Sequence, residues 1–90
     1  MNKFYTAFYK SEIINENSII NTEGASCLSF ELLGTTAALI NSVIPLTADK
    51  IREFSELPYV IIEQEFTINF NFSATPNNSV LIVKTFYKEV

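Results

Sequence analysis

Ninety residues with a formal net charge of −4 make one domain, residues 1–90, and the acidic balance argues against general duplex DNA binding, which needs a basic footprint. The chain has no histidine, one cysteine and two glycines. Those absences remove the usual general base near neutral pH, Ser-His and Cys-His nucleophile pairs, a structural zinc site, an intramolecular disulfide and any phosphate-cradling loop.

The elements read as strands separated by polar turns, because Val, Ile, Phe, Tyr and Thr recur with few stretches of helical period. Lys3 to Lys10 forms a first strand, with Phe4, Thr6 and Phe8 on one face and Tyr5, Ala7 and Tyr9 on the other. Residues 11–25 are mostly polar and read as a long loop around a short Ser18–Ile20 extension. Ser26 to Leu33 follows, with Leu28, Phe30 and Leu32 alternating with Ser29 and Glu31, the pattern of one buried and one wet face. Ala37 to Ile40 and Val43 to Leu46 flank Asn41-Ser42, which predicts a two-residue hairpin.

Residues 47–57 carry two patterns. Thr47 could cap a short helix with Ile51, Phe54 and Leu57 on one face, whereas the surrounding strands favour a turn at Ala48-Asp49-Lys50 followed by a strand. The strand is the expectation taken forward. Glu65 to Ser73 alternates strictly, setting Phe66, Ile68, Phe70 and Phe72 against Glu65, Thr67, Asn69 and Asn71. After a turn at Thr75-Pro76-Asn77-Asn78, Ser79 to Lys88 is expected to return as the partner strand of a closing hairpin. Its two sets, Leu81, Val83 and Tyr87 against Val80, Ile82, Lys84, Phe86 and Lys88, are both largely apolar. Such a strand is either covered on both sides or helps form an interface. The whole predicts an all-β fold: a small antiparallel β-sandwich, jelly-roll or Ig-like, of six to seven short strands.

Hydrophobic residues make up 48% of the chain and charged ones 18%. That is few charges for the large surface of a small domain, so apolar surface is expected to stay exposed and to mark contacts. Charge is also uneven. Lys3, Lys10, Lys84 and Lys88 face only Glu89 within residues 1–10 and 80–90, whereas 11–79 hold nine acids against Lys50 and Arg52. If the two ends pair in one sheet, a basic edge adjoins an acidic body. Lys10 interrupts the apolar N-terminal residues, so no signal peptide is read there, and no apolar run approaches a membrane span.

Carboxylate pairs are the one catalytic option the composition leaves. Glu63 and Glu65 share a face of an extended segment at a separation conceivable for a glycosidase. Adjacent acids on an exposed strand read better as a solvated face that discourages edge aggregation. Asp49 and the scattered Glu residues lack the ligand spacing of a calcium loop. No enzyme, metal or cofactor is therefore expected. Phe8-Tyr9-Lys10 and Phe86-Tyr87-Lys88 place rings beside ammonium groups, as a single-stranded nucleic-acid platform would, yet core packing and solubilising lysines explain the same residues. The candidate contact residues are Val80, Ile82 and Phe86, with Tyr5 and Tyr9 beside them if the ends pair. A monomeric glycan- or peptide-binding module using Tyr5, Tyr9, Tyr59 and Tyr87 is the rival reading.

Residues 37–88 run through the Ala37–Leu46 hairpin, a turn and strand, Glu65-Phe66-Thr67-Ile68-Asn69-Phe70, and Val80-Leu81-Ile82-Val83-Lys84-Thr85-Phe86-Tyr87. This order resembles small β-sandwich structural proteins of tailed bacteriophages, with Asn41-Ser42 standing where that pattern has Asn-Gly. The resemblance implies a capsid decoration, minor capsid, head-fibre or tail-associated subunit, made in the host cytoplasm and located in the virion. Its partners would be other virion proteins or copies of itself, commonly as trimers, with no nucleic acid or membrane partner.

Overall fold

The structure, a computed structural model, describes residues 4–48 and 50–90. Eight strands form it: β1 (Tyr5–Ile14), β2 (Ser18–Ile20), β3 (Cys27–Leu32), β4 (Ala38–Ile40), β5 (Ile44–Leu46), β6 (Ile51–Ser55), β7 (Phe66–Phe70) and β8 (Val80–Glu89). They make two four-stranded antiparallel sheets, β1-β8-β3-β6 and β2-β7-β4-β5. We call these sheet A and sheet B. The pairs β1·β8, β2·β7, β3·β6 and β4·β5 are all antiparallel. The chain is thus one long hairpin with its tip at β4–β5, rolled until β8 also meets β3 and β7 also meets β4. That winding is a jelly roll, and it resolves the choice between jelly-roll and Ig-like sandwich.

The core lies between the sheets and follows the period-2 rule. Leu28, Phe30, Leu32, Val80 and Ile82 come from sheet A; Ile20, Ala38, Ile40, Leu46, Phe66 and Ile68 come from sheet B. Each is at most 5% exposed. Phe30, Phe54 and Phe66 meet at centroid distances of 4.9–5.9 Å and tie β3, β6 and β7 across the interlayer. Burying one such large side chain contributes about 1.5–3 kcal/mol.

The turns explain how so few glycines suffice. Asn41 and Ser42 both take positive φ, 53° and 65°, the left-handed pair that matches hairpin twist. Asn41 also accepts the Thr67 backbone N–H on its Oδ1 (3.0 Å) and donates its own N–H to the Thr67 carbonyl (2.9 Å). An asparagine there anchors the turn to β7, which glycine could not do. Ile40 pairs with Ile44, so the connection holds three residues rather than the expected two, and Val43 stands out into solvent. Gly34 is required for another reason. Its N–H and that of Leu33 both donate to the Ser79 carbonyl (3.1 and 2.8 Å), and any Cβ there would run into the Asn77 carbonyl oxygen.

Four sequence expectations change. β1 continues through Ile14, because residues 11–14 pair with Val83–Val80 of β8 rather than looping out. Lys3, the expected start of that strand, lies outside the described residues. β7 and β8 are not a hairpin: they lie in different sheets, and residues 71–79 cross between the layers. Phe72 is consequently 97% exposed rather than buried, since β7 ends at Phe70 and pairing with β4 stops after the Asn71 N–H donates to the Ala37 carbonyl. The count is eight strands, β2 being a full member of sheet B. The expected strand in residues 47–57 is present as β6. Its weak alternation arises because Arg52 occupies an inward position, where its Nε donates to the Pro45 carbonyl (2.9 Å) and ties the open edges of the two sheets.

Core and surface phenylalanines should respond oppositely in chemical denaturation. Phe66→Ala is expected to lose about 3–5 kcal/mol, whereas Phe72→Ser should leave the midpoint unchanged. Gly34→Ala should cost about 1–3 kcal/mol from the enforced backbone shift.

Candidate functional site

Sheet A has two faces, and register fixes which residues occupy each. The pairs Phe30↔Ile82, Leu32↔Val80 and Leu28↔Phe54 set the even-numbered residues of β3, β6 and β8 inward. Their odd-numbered neighbours therefore point out. The pairs Ala7↔Tyr87, Tyr9↔Thr85, Ser11↔Val83 and Ile13↔Leu81 carry the same outward face onto β1.

This outward face carries an apolar set among serines, Thr85 and three glutamates. Leu81, Val83 and Tyr87 are half-buried along its centre, with Tyr9, Ile13 and Ile51 exposed on the flanking strands. Glu31 and Glu53 are the charges that β3 and β6 place there. A shallow hollow of about 280 Å³ opens on it, walled by Tyr9, Tyr87, Cys27, Ser29, Glu53 and Val83 among others. The Tyr87 phenol is pushed above the ordinary value of 10.0, first by the electrostatic effect of Cys27, then by burial, a side-chain hydrogen bond with Cys27, Tyr9 and Glu53. Sheet B has a mixed outward face: Ile19, Leu39 and Pro45 share it with Thr67 and Asn69, and a hollow there is lined by Asn17, Ser18, Ile19, Ser42, Thr67 and Asn69.

The predicted contact residues divide across these faces. Val80 and Ile82 are fully buried and belong to the core, so neither can serve as a contact residue. Phe86 shares their inward face, half-buried and stacked on Phe8 at 5.5 Å and 16°. Tyr5 and Tyr9 lie on the outward face, Tyr9 exposed and Tyr5 half-buried. The residues that accompany them are Leu81, Val83, Tyr87, Ile13 and Ile51. The signal for these was the alternation of β8 itself, read with the wrong set assigned inward. Tyr9 and Tyr87 line one hollow, as the rival reading wants, while Tyr59 sits in the β6–β7 connection.

Beyond Ile82 the inward face of β8 carries Lys84, whose side chain is 3% exposed. Its ammonium lies 3.4 Å from Glu23 Oε1 and 3.6 Å from Glu12 Oε1, and Lys10 Nζ donates to Glu23 Oε2 at 2.7 Å. The β2–β3 loop delivers Glu23 in a left-handed conformation (φ 55°), its N–H held by Asn21 Oδ1 at 2.8 Å. Hydrogen bonds from Lys10 and then Lys84 hold the Glu23 carboxyl below its ordinary 4.5. The same bond to Glu23 raises Lys10 above 10.5. The ends of the chain do pair in one sheet, yet two of their lysines are matched by acids of the chain's middle. The basic edge and acidic body are partly neutralised within the molecule.

Among the described residues no three His, Cys, Asp or Glu side chains gather as metal ligands. Glu63 and Glu65 are exposed just ahead of β7, and Asp49 lies outside the described residues. No family model matches the chain, and no curated protein or solved structure matches it either.

The charge cluster gives a pH signature. A depressed carboxylate contributes stability above its unfolded pKa and loses it as pH falls through the folded one; a raised lysine contributes below its unfolded pKa and loses it as pH rises through the folded one. Glu23 and Lys10 thus support the fold between about 4.5 and 10.5. Glu23→Gln should lower the thermal midpoint at pH 7 by a few degrees, with the difference shrinking in acid. Lys84→Met, which removes the buried charge, should lie within about 1 kcal/mol of wild type. Thermal melts across pH check both.

Proposed function

We propose that the protein is a non-enzymatic structural or assembly subunit of a tailed-phage virion. It acts through contacts with other virion proteins or further copies of itself, a trimer being the favoured oligomer. The observation that carries the reading is the exposed or half-buried apolar set on the outward face of sheet A. A sheet face built from Tyr9, Ile13, Leu81, Val83, Tyr87 and Ile51 is suited to excluding water against a flat neighbour, with tyrosines offering hydroxyls at its margin. The jelly roll supports the reading by analogy of fold, since viral capsid domains use it; lectin domains use it too, so fold alone decides nothing.

A second reading has its own observation. Tyr9 and Tyr87 wall one hollow with Ser29 and Glu53, an arrangement in which rings can stack on a sugar or peptide while polar groups accept or donate. On that reading the chain works as a monomeric glycan- or peptide-binding module.

Light scattering on a sizing column, from micromolar to near-millimolar protein, separates the two. The assembly reading expects a mass of a trimer or more, and Val83→Lys should reduce it to a dimer or less while the thermal midpoint stays within a few degrees. A wild-type protein that stays monomeric, together with an array ligand whose binding Tyr87→Ala abolishes, would establish the second reading instead.

A further inference from the structure

β1 is the outermost strand of sheet A and pairs only with β8. It is long, at ten residues, and runs in unbroken register with its neighbour. Its outer rim therefore offers a row of N–H and C=O groups with no strand against it among the described residues. Proteins ordinarily blunt such an edge with proline, a bulge, a short strand or several charges. β1 has no proline, no glycine and no bulge, and its charges are one lysine and one glutamate. Most of its side chains are exposed, including Phe8, Tyr9 and Ile13 at 50–67%.

We propose that this edge is an interface for a second copy of the same chain, joined β1 to β1 antiparallel about a two-fold axis at Ser11. The reasoning is one of register. Antiparallel addition keeps the two faces of the joined sheet continuous only when even residues oppose even and odd oppose odd. Four registers satisfy this near the middle of the strand. An axis at Lys10 sets Lys10 against Lys10, and one at Glu12 sets Glu12 against Glu12, like charges that repel. An axis at Tyr9 sets Lys10 against Phe8 and leaves Glu12 opposite Thr6. An axis at Ser11 opposes Lys10 to Glu12, Tyr9 to Ile13 and Phe8 to Ile14, each twice by symmetry.

The opposed pairs from Phe8 to Ile14 in that register are complementary. Tyr9 and Ile13, both exposed, close over one another on the outward face. Phe8, half-exposed where it stacks on Phe86, gains Ile14 on the inward face. Lys10 meets the partner's Glu12 in addition to its own Glu23. The sheet becomes eight-stranded, and the outward apolar faces of the two copies join into one broader surface. The proposal rests on the assembly reading above and names one partner for it. An isologous contact of this kind closes on itself as a dimer and leaves the outward face free for other neighbours.

Cysteine cross-linking in a Cys27→Ser background tests it, since opposed residues of an antiparallel pair lie about 4.5–5.5 Å apart at Cα, within disulfide reach. Ser11→Cys should link to itself under mild oxidation and double the chain's mass on a non-reducing gel. Tyr9→Cys and Ile13→Cys should each stay single alone, about 14 Å from their own copies, and link when mixed. All three positions are exposed, so melts of the reduced variants should match the parent. A Tyr9→Cys variant that links to itself moves the axis and overturns the register. No linking by any variant overturns the inference. If assembly that Val83→Lys disrupts persists in that case, the contact reading stands without this edge. If Ser11→Cys links while Val83→Lys changes no mass, the edge stands and the contact reading through the outward face fails.

Discussion

Antiparallel pairing of β1 with β8 fixes the outermost turn of the roll, and β8 then passes its register to β3 and β3 to β6. Because side chains alternate strictly along a strand, that chain of registers decides for every residue of sheet A whether it meets the core or the solvent. Val80 and Ile82 face Phe30 and its neighbours, so Leu81, Val83 and Tyr87 must face out. The apolar set on the outward face is thus a direct consequence of having apolar residues on both sides of β8 and only one layer to cover them.

The charged cluster at Lys84 is where this register meets resistance. Inward direction is imposed on a lysine, and a lone ammonium in that position would lose its hydration without return. Glu12 from β1 and Glu23 from the β2–β3 loop resolve the conflict, with Lys10 completing the alternation of charge. The cluster also marks the end of the covered region: past it, Phe8 and Phe86 stack on one another but remain half open. The 14.4 Å radius of gyration exceeds the roughly 12 Å expected for a compact chain of this length. A two-stranded ribbon that outruns the sandwich accounts for part of the excess.

Local pattern made most of the strands legible, since Leu28-Phe30-Leu32 and Phe66-Ile68 alternate visibly and the Asn41-Ser42 turn is chemically marked. The boundaries failed where pairing rather than pattern sets them. Residues 11–14 look like the start of a loop but are held by β8, and Phe72 continues an alternation after its strand has ended. Sheet membership was illegible for the same reason: adjacent strands joined by a short polar turn read as a hairpin, and only the rolled topology separates β7 from β8. The contact surface was inverted by one residue. A face that carries Lys84 and Lys88 reads as the wet one, and nothing local reveals that Glu12 and Glu23, some sixty to seventy residues away in sequence, neutralise the first of them.

The central position of β8 in sheet A has a consequence for the order of events during synthesis. β1 and β3 do not touch each other as strands; each is joined to the sheet through β8. Sheet A therefore cannot close until residues 80–89 have left the ribosome, however early β1 and β3 emerge. Until then β1 waits as an unpaired strand and β3 has only β6 beside it, and the loop closures that finally join them through β8 are long ones, slow by the entropy of bringing distant segments together. The nascent chain spends that interval with its stickiest segments uncovered, a period in which a chaperone or a neighbouring nascent copy has its best access to them.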